Sequence, residues 1–352
     1  MDETRRHLLA SLPFVPAVLG EWLMAWNYGV PPVSVAQRGT NARVGMADVE
    51  QINEARRTFS RLDGQFGAGL LRPVVAGYLN KSVTPLLRGR CDDRVGSALM
   101  SAAAGMALMA GWTSFDMNLH GQAQQHYGQA LRLAKTGDDP LTGVWVLAMM
   151  THQATHLEQA TWAAWLARAA TDTARRAQAP PRVMALVLTR EAKALALRTN
   201  PAESHDKHSA KQIQRLLAEA ESASAQGPAD RDPEWIAEYD AAELSAQAGS
   251  CWRLLGEYGK AAVRAEAAVT AFSGRLPRSA QINQVSAAGA YLGMGELERA
   301  IDCARASIPA AKALNSTRSV ERLQKFADEL DPYSSSIMVR QFRDQLHSEL
   351  AA

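Results

Sequence analysis

The 352-residue chain carries 38 Lys+Arg against 36 Asp+Glu, a formal net charge of +2, so it lacks the dense basic face whose counterion release drives non-specific nucleic-acid binding. Hydrophobic residues make up 47% and aromatic ones only 6%, a balance that suits close helix packing by small side chains and leaves almost no strand signal. Three cysteines, Cys91, Cys251 and Cys303, are too far apart for a metal spacing or a disulfide scaffold, and they read as small packed residues in a reducing cytosol.

Residues 1–43 read as an N-terminal anchor segment and loop. Thr4-Arg5-Arg6-His7-Leu8-Leu9 resembles a twin-arginine export signal, but Pro13 and Pro16 interrupt the apolar run that follows, Glu21 charges it, and no small-x-small cleavage site comes after. The same interruptions deny it the roughly 20 apolar residues of a membrane span. The segment reads better as an amphipathic anchor, with Phe14, Leu19, Trp22, Leu23 and Trp26 covering the first packed helices. The expectation is a cytoplasmic protein without membrane contact.

Residues 44–95 form an N-terminal helical pair. A helix starts near Asp48, a plausible cap, buries Val49, Ile52, Phe59 and Leu62, and ends at Asp63-Gly64. A second helix over 71–88 follows a glycine-rich connector at 64–69 and is kinked or ended early by Pro85. Gly64-x-x-Gly67-x-Gly69 resembles a phosphate cradle only superficially, because it joins two helices and no Gly-Lys-Ser/Thr closes it.

The array at 96–330 carries the clearest signal. In 288–308, Ala288, Tyr291, Gly295-Glu296-Leu297, Ala300 and Ala304 have the spacing of the turn and second helix of a tetratricopeptide repeat. Gly295 can take the left-handed conformation that ends the first helix, while Ala288 and Ala300 let two antiparallel helices close on each other. Upstream by 39 residues, Gly249, Trp252, Gly256-Glu257-Tyr258, Ala261, Ala265 and Ala268 repeat the pattern. Gly111, Ala123, Tyr127 and Ala130 fit a fainter unit, and Ala154, Ala163 and Ala167 another; helices over 181–198 and 207–225 fill the gap. The fold class is therefore all-α, a tetratricopeptide-like helical-hairpin solenoid of about five pairs. Residues 331–352 cap it with a helix whose apolar face carries Ile337, Phe342, Leu346 and Leu350.

Val44-Gly45-x-x-Asp48-Val49, Arg61-Leu62-Asp63-x-x-Phe66-Gly67-x-Gly69, Arg72-Pro73, Tyr78-Leu79 and Pro85-Leu86-Leu87-Arg88-Gly89 carry a family likeness. It continues through Ala110-Gly111-Trp112, Asp116, Gly121-x-Ala123, Tyr127-x-x-Ala130-Leu131-x-Leu133-Ala134 and 151–154. In these motifs the chain resembles the tetratricopeptide-repeat regulatory portion of actinobacterial helix-turn-helix transcriptional regulators. The resemblance implies a sensor for transcriptional control. Longer relatives place a DNA-binding domain ahead of this portion, and nothing in 1–43 offers its two short helices, so no direct specific DNA binding is expected of this chain alone.

In stacked pairs the first helices line the concave face. The register directs Trp112, Phe115, Trp145, His152, Glu243, Ser250 and Arg253 toward that groove, with Thr189, Arg190 or Lys193 in the third pair. Aromatic anchors with a few charges suit a peptide, a small-molecule effector or a protein partner. Trp112 and Trp145 fit burial between neighbouring pairs equally well. His152 and His156 stand four apart, but two imidazoles without further ligands do not make a metal site. No nucleophile elbow, kinase motif or carboxylate pair is apparent. The expectation is a non-enzymatic regulator without a cofactor, able to form a homodimer; a stand-alone adaptor modulating a partner regulator is the alternative, and an enzyme the third.

Overall fold

The computed structural model describes residues 14–31, 37–38, 43–199, 207–314 and 316–351, which leaves the Arg5-Arg6 motif outside the described residues. The fold is all-α. It divides into two compact units, one made by Met1–Asp63 with Ala68–Ala179, the other by Gly64–Gly67 with Pro180–Ala352. The division falls inside the expected array.

In the first unit, helices α1 (Pro16–Tyr28), α2 (Met46–Phe66) and α3 (Ala68–Tyr78) precede two hairpins, α4 (Asp93–Asp116) with α5 (His120–Thr136) and α6 (Pro140–His156) with α7 (Ala160–Arg176). Local chemistry sets where these helices begin. Asp92 accepts from the Val95 amide at 2.8 Å to start α4, and Asp139 accepts from the Thr142 amide at 2.9 Å with Pro140 in the first turn of α6. Helix α4 is long and apolar enough to cross a membrane, yet 72% of its most apolar window is buried inside the protein, as befits a core helix.

Each helix from α4 to α7 is followed by a reversal on a residue with positive φ: Asn118, Asp138, Glu158 and Gln178, at 48–57°. The amide one place further reaches back five residues, from Leu119 to Ser114, Asp139 to Ala134, Gln159 to Ala154 and Ala179 to Ala174, at 2.9–3.0 Å. These are Schellman closures built without glycine. They recur every 20 residues, so each pair repeats at 40, longer than the roughly 34 of the standard repeat.

The second unit holds three hairpins, α8 (Pro181–Ala196) with α9 (Lys207–Ser224), α10 (Ala241–Leu254) with α11 (Tyr258–Phe272), and α12 (Pro277–Gly293) with α13 (Leu297–Ala306). The last two close on Gly256 and Gly295, at φ 74° and 80°, and the amides of Glu257 and Glu296 make the same five-residue reach at 2.9 Å. Short α14 (Ile308–Ala313), α15 (Thr317–Glu329) and α16 (Ile337–Ala351) close the unit, with Phe326 and Phe342 packed edge to face at 5.9 Å. Among the described residues, five hairpins stand where about five pairs are expected.

Ala288, Ala300 and Ala304 are fully buried at the α12–α13 crossing, as the register requires. Ala300→Leu is expected to destabilise by roughly 1–3 kcal/mol through overpacking, read from chemical denaturation. Ala306→Leu, on the exposed side of the same helix, is expected to leave the midpoint unchanged. Equal tolerance of both would mean that the helix faces are misassigned.

Several expectations need correction. The connector between α2 and α3 is Gly67 alone, at φ 79°, because α2 runs through Gly64 to Phe66. The second helix does not continue over 71–88 but stops at Tyr78, followed by a π-helical turn at Leu79–Val83 and a last turn at Thr84–Leu86 containing Pro85. In α16 the buried face is Val339, Phe342 and Leu346, whereas Ile337 is 64% exposed. A two-residue ladder, Gln37–Arg38 antiparallel to Arg90–Cys91, lies where no strand is expected.

The anchor helix α1 packs mainly on α5 and α7, the second helices of the two hairpins, and its Trp26 also reaches Gly143 of α6. Two glycines explain how it fits. A Cβ at Gly128 would lie 2.5 Å from the Trp22 ring, and one at Gly143 would lie 1.9 Å from the Trp26 ring, so each indole fills a notch that only glycine leaves open. Trp26 also donates its indole N–H to Thr173 Oγ1 at 3.1 Å, while Lys135 Nζ donates to the Trp26 carbonyl at 2.8 Å and lies over its ring. At the other end the Gln124 amide exchanges two hydrogen bonds of 2.9 Å with the Val15 backbone.

Candidate functional site

The first helices of each unit carry the predicted residues. In the first unit, Trp112 donates its indole N–H to buried Asp63 Oδ2 of α2 at 2.7 Å, and the Arg56 guanidinium of α2 lies 5.4 Å over the Trp145 ring. Side chains of α2 thus reach both tryptophans, which are half-buried. Phe115 has no accessible surface, which places it in the core rather than on a groove wall. Around it stand His120, His152 and His156, with ring centroids 5.8, 5.4 and 5.2 Å away. His152 and His156 share one side of α6, as expected, and that side meets an aromatic ring. Among the described residues no group of three or more His, Cys, Asp or Glu could hold a metal ion.

In the second unit the face is polar. Its helices α8, α10, α12 and α15 pack side by side in that order. Arg190, nine-tenths buried, donates to Gln247 Oε1 at 2.9 Å, and Gln247 Nε2 points to Glu243 Oε2 at 3.4 Å. Thr189 is buried and shares a 2.6 Å hydrogen bond with the Tyr239 hydroxyl, whose pKa burial raises. Ser250 lies about one turn and Arg253 nearly two turns beyond Gln247, and both are half-buried. Arg253 crosses α12 at Gly289, where its Nη1 would stand 3.1 Å from an added Cβ, and it pairs with Glu329 of α15 at 3.3 Å.

Lys193 and Arg322 complete this face. Burial, with the charges of Arg322, Arg190 and Arg253, lowers the Lys193 ammonium to about 7. Arg322 is lowered to about 10, by burial first and then by Arg318 and Arg253. Burial pushes the neighbouring Cys251 thiol up to about 12, so it stays protonated and is a poor nucleophile.

The structure brings Arg190, Glu243 and Arg253 into one unit and Trp112, Phe115, Trp145 and His152 into the other. The repeat register missed Gln247, Arg318 and Arg322. Arg318 and Arg322 come from α15, which lies beyond the last recognisable repeat. The signal was there to read: two arginines four apart on one helix face repel unless something anionic meets them.

Stacked hairpins, identical turn closures and alanine-lined crossings define a tetratricopeptide-like helical-repeat protein. No family model matches the chain, and no curated protein does. Among solved structures it is similar to a Rap protein in complex with competence and sporulation factor, at 14% identity and a TM-score of 0.52, with 87% of each chain covered. At that identity the likeness is one of fold.

Proposed function

We propose that the chain is a non-enzymatic regulatory protein that binds a linear peptide on the first-helix face of its second unit. One observation carries this reading: the helix stack turns guanidinium and amide groups, Arg190, Gln247 and Arg253 with Glu243, onto a face that would be apolar if it only packed. Such groups recognise peptide backbone and its charged substituents. The similar Rap protein holds competence and sporulation factor, which supports a ligand-binding use of this fold. A role in transcriptional regulation follows from the motif resemblance to actinobacterial regulators. Trp112 and Trp145 are the less favoured contacts, because Asp63 and Arg56 already engage them.

The test is selection of binders from a random library of linear peptides with free carboxyl termini, followed by calorimetry on the purified chain. Arg253→Ala is expected to weaken a selected peptide by roughly 1.5–3 kcal/mol through loss of a charge-assisted hydrogen bond. Its unfolding midpoint should stay near the wild type, since Arg253 is partly exposed. A library that yields no binder, or binders indifferent to Arg253→Ala, would overturn the assignment of this face.

A further inference from the structure

We propose that the first-helix face of the second unit is a carboxylate receptor: the Lys193 ammonium and the Arg322 and Arg253 guanidinium groups together take one carboxylate of the ligand, and Lys193 takes up a proton as it binds. The peptide origin of that carboxylate rests on the reading above; the anion chemistry stands on its own residues.

Three helices of one unit supply the cations, Lys193 from α8, Arg253 from α10 and Arg322 from α15. Glycine at 289 leaves α12 without a side chain where Arg253 lies across it. Arg253 already shares Glu329 at 3.3 Å. Lys193 and Arg322 are both partly buried, and neither makes a hydrogen bond or an ion pair with another described residue. Withdrawing two like charges from water without a direct ion pair is costly, and an incoming anion lowers that cost at both.

The groups acting on Lys193 come from its own helix, from α10 and from α15, and none comes from α9, which also packs on α8. Arg190 shares its helix, Cys251 and Arg253 stand on α10, and Arg322 faces it from α15. Glu243 lies further along α10, and Glu321 and Glu329 act on Arg322. These carboxylates offset part of the positive charge, most directly at Arg322. A monoanionic carboxylate meets less repulsion from them than a phosphate dianion does.

The proton linkage has a definite sign. Lys193 is held at about 7 in the free chain, so below that pH it is charged and anion binding takes up no proton. Above it the amine is neutral, each bound carboxylate draws one proton from solvent, and affinity falls by up to about tenfold per pH unit until the raised pKa of the complex is passed.

The test uses the full chain with lysine labelled by ¹³C at Cε, the Lys193 resonance being identified by its absence in Lys193→Arg. Acetate is the carboxylate probe and inorganic phosphate the competing one. The Lys193 midpoint is expected at about 7 without anion and at least about one pH unit higher in saturating acetate. Arg322→Gln should shrink that rise, Arg322→Lys should restore most of it, and Lys193→Arg should bind acetate without pH dependence. An ordinary lysine midpoint in the free chain, no response to acetate, or a response to phosphate alone would overturn the proposal. Because acetate is not a peptide, a clear acetate response in a chain that selects no peptide keeps the carboxylate receptor and removes only the peptide reading.

Discussion

Trp26→Ala is expected to lower the stability of the first unit by about 3–5 kcal/mol, the range for deleting a buried aromatic side chain. The indole is nearly inaccessible, fills the notch at Gly143, bonds to Thr173 and lies under Lys135, and alanine would forfeit all of these. Gly143→Ala attacks the same joint from the other side, because its Cβ would stand 1.9 Å from the ring and either the helix or the indole must move. Urea unfolding followed by far-ultraviolet circular dichroism reads both, with Met24→Ala, 60% exposed on the same helix, as the neutral comparison. If Trp26→Ala unfolds at the wild-type midpoint, α1 is not docked as described.

Phe115→Ala is expected to cost a similar amount, about 3–5 kcal/mol, and to lose folding before it loses any binding. Its ring is the hub on which His120, His152 and His156 pack, and no neighbouring side chain can fill the space without leaving its own contacts. Denaturation and peptide titration on the same preparation separate the two roles. A variant that keeps its stability but loses binding would return Phe115 to the groove.

The contrast between units explains what could be read from the sequence. In the second unit the turns close on Gly256 and Gly295, and glycine is a visible marker of left-handed backbone. The first unit makes the same turn with Asn118, Asp138, Glu158 and Gln178, of which Asn and Asp mark left-handed backbone only weakly and Glu and Gln not at all, so its repeats look faint although their geometry is as regular. Small residues at crossings, such as Ala123, Ala163 and Ala300, follow from spacing alone and are buried as expected.

The candidate face was harder to read, for two physical reasons. Spacing along a helix gives a direction but not what arrives from elsewhere in the chain: Asp63 and Arg56, some fifty and ninety residues before Trp112 and Trp145, decide the surroundings of those tryptophans. Spacing also says nothing about helices outside the repeat, and α15 supplies Arg318 and Arg322. Arg253 stands where the repeat register directs it, half-buried and off the core. Phe115 does not, because a helix three-quarters buried has no single inward side.

Helical repeats behave as one-dimensional chains in which each hairpin contacts only its neighbours and can open by itself. Helix α1 breaks that rule, since it lies across both α5 and α7 and is keyed to each hairpin by a tryptophan. Opening either hairpin removes part of the seat that holds α1 on both, so the two hairpins are coupled through α1 and their backbone amides are expected to exchange as one cooperative block. In the first unit a thirteen-residue helix outside the repeats thereby sets the size of the smallest piece that can unfold.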